Sequence, residues 1–145
     1  MKRILVAAGL AALVGIMAPS TTAFAGKKER DFMEKELAPK VKGAQDKFQA
    51  SCGCALAITI DDSTTTTTDD MRQARNAANT IIEGAPKYCT DAASKKAVCQ
   101  LKSLVLAKVV KPAKAEFTFK DGKGQLTHDG QMYTGWDQMT RVLDK

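Results

Sequence analysis

The sequence predicts an α+β domain: a small antiparallel sheet, with a strand near 55–60 and a hairpin near 115–129, packed with about four helices and stapled by two disulfides. Three observations predict it. Apolar residues recur at helical spacing in four segments, other segments alternate with period two, and the chain carries four cysteines. Helices and strands are segregated rather than alternating, which favours helices laid on one small sheet.

Residues 1–25 have the parts of an export signal in order: Lys2 and Arg3, an apolar run from Ile4 to Met17, and the small-residue site Ala23-Phe24-Ala25 before Gly26. The run is too short for the roughly 20 residues of a membrane span, and no later segment is apolar for long enough. No cysteine lies near the cleavage site, so lipid attachment has no support. The expectation is a cleaved signal followed by one domain over 26–145, periplasmic or secreted, with no transmembrane anchor. Cleavage changes the charge. The whole chain has 22 Lys and Arg against 16 Asp and Glu, and removing residues 1–25 takes away two of the cations, so the formal excess falls from +6 to +4. About 120 residues suffice for a single core that buries about two thirds of the unfolded surface, and exclude a two-domain enzyme or a solenoid.

Export also governs the cysteines. Cys52, Cys54, Cys89 and Cys99 all follow the signal, and an even count in an oxidising compartment indicates disulfides. A ring closed between Cys52 and Cys54 would be strained, so the expected bonds join the Cys52-Gly53-Cys54 segment to Cys89 and Cys99, in either pairing.

The first helix spans Lys27 to about Ser51, with Met33, Leu37, Val41, Ala44 and Phe48 on one stripe. Pro39 removes a hydrogen bond there, so the helix kinks or restarts with Pro39 in its first turn. Leu56, Ile58 and Ile60 then alternate with small or polar residues as a half-buried strand does, ending at Asp61-Asp62. The tract Thr64 to Thr68 is expected as an exposed loop or short edge extension. Thr68 or Asp69 caps a helix to about Glu83, stopped by Gly84 and Pro86. Thr90 or Asp91 starts the next helix. It is expected to reach about Lys108 and give way to an extended stretch through Pro112, although Leu104 to Val110 is rich in strand formers. Glu116 to Lys120 alternates around Phe117 and Phe119, the turn Asp121 to Gly124 follows, and Gln125 to Asp129 returns antiparallel. Thr134 caps a last helix in which Trp136, Met139 and Leu143 share a face.

Catalytic machinery is not evident. His128, the one histidine, is expected as a surface or strand-end residue, and no serine or cysteine sits in a nucleophile motif. Asp61-Asp62 and Asp69-Asp70 are placed as solvated loop and cap residues and lack the glycine and ligand spacing of a calcium loop. Phosphate loops, dinucleotide fingerprints and haem attachment are absent, and no cofactor is implied. The sequence therefore favours a small non-enzymatic binding or structural protein of the cell envelope or medium.

Charge supplies the candidate binding feature. Residues 61–91 carry three basic and six acidic side chains, whereas residues 92–145 carry ten and five. Lys95, Lys96, Lys102, Lys108, Lys111, Lys114, Lys120 and Lys123 offer a face for an acidic protein or an anionic envelope component. Lysines without an aromatic ladder do not suit sequence-specific nucleic-acid recognition. Tyr133 and Trp136 form a possible second patch, although the spacing of Trp136 with Met139 and Leu143 favours the core. The alternative class is a thiol-redox or soft-metal protein using Cys52-Gly53-Cys54. Against it, the motif follows a helix C-terminus, where the dipole disfavours a thiolate.

Overall fold

A computed structural model describes residues 26–109, 116–128 and 135–145. The expected signal segment, Lys111, Lys114, Pro112, Asp129, Tyr133 and Thr134 lie outside them. The fold is α+β, with a four-stranded sheet on which helices pack, and two disulfides.

The first helical run comprises α1 (Lys27–Phe32), a π-helical turn at Met33–Leu37 and α2 (Ala38–Cys52). The backbone stays right-handed across both joints. Pro39 lies in the first turn of α2, and the widened turn just before it accommodates a ring that would otherwise press on the carbonyl four residues back. Strand β1 (Ala57–Ile60) leads to α3 (Thr68–Tyr88), α4 (Ala92–Val98) and strand β2 (Ser103–Lys108). Strands β3 (Glu116–Lys120) and β4 (Lys123–His128) form the hairpin, and α5 (Gly135–Leu143) follows.

The sheet order is β1-β2-β4-β3. It is mixed rather than antiparallel: β1 pairs parallel with β2 and β2 parallel with β4, leaving β3 with β4 as the antiparallel pair. The α3-α4 crossover returns the chain to the end where β1 began and so makes β1 and β2 parallel, and β4 runs parallel to β2 because β3, the antiparallel arm of its hairpin, takes the outer edge. Ile58, Leu104, Leu106, Leu126 and Phe117 face the helices and are buried with Phe48, Ile81, Trp136 and Met139. The opposite face carries Ala57, Thr59, Thr118, Lys120, Lys123 and Gln125, all exposed.

Three expected boundaries move, the first two because tertiary packing outweighs local preference and the third because of the turn's own backbone geometry. The helix expected to reach Lys108 ends at Val98, and Ser103–Lys108 is a strand. As the strand between β1 and β4 it buries Leu104 and Leu106 completely, and a continuous apolar run is what a central parallel strand presents. Helix α3 continues past Gly84 and through Pro86 to Tyr88. Gly84 is a notch rather than a stop: a Cβ there would lie 2.3 Å from Trp136 Cγ. Ala85 is fully buried and its carbonyl accepts from the Cys89 N–H at 2.9 Å, so the last turn closes beyond the proline. The hairpin turn is two residues, not four. Asp121 and Gly122 both have positive φ, 50° and 79°, which gives the twist of a type I′ turn and brings Lys123 and Gly124 into β4.

The Thr tract is also less exposed than expected. Thr65 is fully buried, Thr67 caps α3 in a reciprocal box with Asp70, and Thr64 Oγ1 accepts from the Lys108 N–H at 3.1 Å.

The disulfides are Cys52–Cys89 and Cys54–Cys99, separated in sequence by 37 and 45 residues. Cys52 ends α2, and Gly53 at φ 81° turns the chain into the left-handed conformation that only glycine adopts cheaply. Cys89 and Cys99 are the C-terminal caps of α3 and α4. Three helix ends are thus joined at one point.

By the loop-entropy model either bond alone restrains the unfolded chain by about 4 kcal/mol. With one bond closed, the second closes a ring of only about a dozen residues, worth about 3 kcal/mol. Replacing one pair by serine should therefore lower the unfolding free energy by about 3 kcal/mol, and replacing both by about 7, more than twice as much. Urea titration of the three variants checks this; equal, additive losses would refute the overlapping-loop account. Separately, Gly84→Ala should lower the melting temperature despite alanine's helix propensity of about 1 kcal/mol over glycine, because the rigid indole cannot yield. A raised melting temperature would show that the indole moves.

Candidate functional site

The backbone gathers three of the eight lysines. Gly122, in the β3-β4 turn, accepts from the N–H groups of Lys102 at 2.7 Å and Ser103 at 3.2 Å, which ties the turn to the start of β2. The Lys102 stem lies against Gly122, with Cγ 3.2 Å from where a Cβ would stand, and its Nζ donates to the Cys99 carbonyl at 2.6 Å. Lys120 and Lys123 face each other across the hairpin as its closing pair. All three side chains are exposed, and none makes an ion pair among the described residues. Beside them the outer sheet face forms a shallow hollow of about 470 Å³, lined by Val105, Thr118, Lys120, Asp121, Lys123 and Gln125 among others.

The other lysines go elsewhere. Lys95 and Lys96 are exposed in α4, and Lys96 lines a different hollow, of about 470 Å³, with Tyr88, Gln100 and the C-terminal residues Leu143 to Lys145. Lys108 pairs with Asp70 at 2.5 Å. Lys111 and Lys114 lie outside the described residues.

Asp70 was expected as a solvated cap residue. It is 4% exposed and does two jobs. One carboxylate oxygen accepts from the Thr66 and Thr67 N–H groups at 3.2 and 3.0 Å, and the other from Lys108 Nζ. Burial alone would push this carboxyl up, but the hydrogen bonds from Lys108, Thr67 and Thr66 hold it down at about 2. The carboxylate thus ties the α3 N-terminus to the far end of β2.

Trp136 is a core residue, 7% exposed, with its ring edge-on to Phe48 at 6.4 Å and to Tyr88 at 5.9 Å. It also lines a cleft of about 320 Å³ together with Glu83, Lys87, Tyr88 and Asp137. The Tyr88 hydroxyl donates to Asp144, and burial, reinforced by that carboxylate, raises its pKa to about 12. Of the two expected places, His128 takes the strand end, where it is buried at 6% exposed. Each sulfur of Cys52-Gly53-Cys54 is bonded to a different partner, and the chain has no free cysteine. Among the described residues no three His, Cys, Asp or Glu side chains are grouped to hold a metal.

One cluster was not singled out from the sequence. Arg72 and Arg75 of α3 lie over the Phe32 ring at 5.9 and 5.6 Å, and Arg75 pairs with Glu36 at 2.9 Å. The i, i+3 spacing of the arginines was visible, but its aromatic partner is about 40 residues away. No family model, curated protein or solved structure matches the chain.

Because the Asp70 pKa is depressed on folding, its contribution is present above the ordinary value of 3.8 and disappears as pH falls toward 2. Asp70→Asn should cost about 2 kcal/mol at neutral pH, and the gap to the native protein should close between about pH 4 and pH 2. Denaturant titrations across that range check it; a gap independent of pH would rule out the charge pair as its cause.

Proposed function

We propose that the chain is a non-enzymatic binding protein that works outside the cytoplasm, in the periplasm or the medium, and holds an anionic envelope component at the lysine-rimmed end of its sheet. The observation that carries this is the gathering of Lys102, Lys120 and Lys123 around one turn without carboxylate partners among the described residues. A cation cluster held on a turn that is tied to the neighbouring strand raises the local potential for anions. Two disulfides fit an oxidising compartment, and no described helix is long and apolar enough to cross a membrane. The export-signal pattern of residues 1–25 supports the same location. A thiol or soft-metal role has less support, since both sulfurs of the motif are held in separate bridges.

Near an anionic membrane each lysine contributes about 1 kcal/mol, so Lys102, Lys120 and Lys123 together replaced by alanine should weaken partitioning onto anionic phospholipid vesicles about a hundredfold. Lys42→Ala, which removes a cation already paired with Asp46, should change it little. Sedimentation with vesicles at low salt decides the matter: equal retention of the triple variant and the native protein would dismiss the proposal.

A further inference from the structure

The two edges of the sheet are treated differently. At β1 the outward Ile58 N–H is taken by the Gln45 side chain, which accepts at 2.7 Å, so a helix residue plugs that edge. At β3 the two-residue turn makes Lys120 and Lys123 the closing pair, which directs the backbone groups of Glu116, Thr118 and Lys120 toward β4. Those of Phe117 and Phe119 are directed away from it, to the other edge.

The sequence of that edge strand, Glu-Phe-Thr-Phe-Lys, is complementary to itself when reversed. We propose that β3 is a homodimer interface, pairing antiparallel with β3 of a second copy about Thr118. In this register Phe117 and Phe119 of one copy exchange their outward hydrogen bonds with Phe119 and Phe117 of the other, joining two four-stranded sheets into one of eight. Glu116 lies opposite Lys120 of the second copy, twice over, on the exposed face. The half-buried Phe119 gains a neighbouring ring on the helix-covered face, where it already stacks with Phe117 at 6.5 Å.

Charge favours this occupant over others. Within one copy Lys120 faces Lys123, a like-charge cross-strand pair that is unfavourable, and Glu116 faces Thr127. Neither Glu116 nor Lys120 has an ion-pair partner among the described residues. Charged side chains commonly blunt an exposed edge. Here opposite signs stand at the two ends of the strand, so an antiparallel copy meets attraction at both. The pairing uses Lys120 and leaves Lys102 and Lys123 exposed, and it does not depend on the anion-binding role.

The oxidised protein should double in mass, by light scattering and sedimentation equilibrium, as its concentration rises from micromolar to millimolar. Glu116→Lys and Lys120→Glu should each raise the dimer dissociation constant at least about tenfold, since each sets like charges opposite at both ends. An equimolar mixture of these two variants, and the double exchange Glu116→Lys with Lys120→Glu, should restore dimerisation. A native protein that stays monomeric over this range would overturn the proposal. So would single variants that dimerise like the native chain, or a mixture and double exchange that do not recover.

Discussion

The structure depends on the Cys52-Gly53-Cys54 turn, where two bonds leave in different directions. Cys52 ties the end of α2 to the cap of α3, and Cys54 ties the start of the β1 segment to the cap of α4. Three helices therefore finish at one place, against the end of the sheet where β1 and β2 begin. Converging helix C-termini bring carbonyl ends and partial negative charge together. Part of that is answered locally, because Lys102 donates to the Cys99 carbonyl and Lys87 lies in the last turn of α3. The parallel pairing of β1 and β2 follows, since both strands set out from the same stapled corner.

The opposite end of β2 is held without covalent bonds. Asp70 reaches Lys108 while closing the box that starts α3, and Thr64 accepts from the Lys108 backbone. The central strand is thus clamped at its first residues by the hairpin turn and the Cys54–Cys99 bond, and at its last by the loop before α3. The lysines of the C-terminal part divide accordingly. Lys108 secures the fold, Lys102 straddles a helix cap and the surface, and Lys120 and Lys123 are displayed by the turn.

Much of the fold was legible because local pattern and tertiary role agree. Spacing alone puts Phe48 and Ala44, Ile58, Phe117, and Trp136 with Met139 and Leu143 on apolar faces, and all are buried. The cysteine partners were narrowed to two pairings, between which spacing has no power to choose. What was not legible required partners distant in sequence. Gly84 and Pro86 read as a stop because the indole that needs the notch lies about 50 residues later. Leu104 to Lys108 reads as helix from the sequence because periodicity does not separate a buried helix from a central parallel strand. Strand direction is likewise illegible in the strands themselves, because the crossover and the order of pairing set it. Of the candidate surface, the expected hairpin already sets Lys120 near Lys123, but that Lys102 joins them depends on one distant carbonyl, that of Gly122.

The overlapping bridges have a mechanical consequence. A force applied at the two chain ends travels from Cys52 through Gly53 and Cys54 directly across the sulfur bridge to Cys99, bypassing β1, α3 and α4. About 45 residues are thereby shielded from tension, and the fully stretched oxidised chain is shorter by about 150 Å than the reduced one. Under load only the N-terminal helical run and the segments after Cys99 extend, while the residues between Cys54 and Cys99 hang as a closed loop that carries no tension.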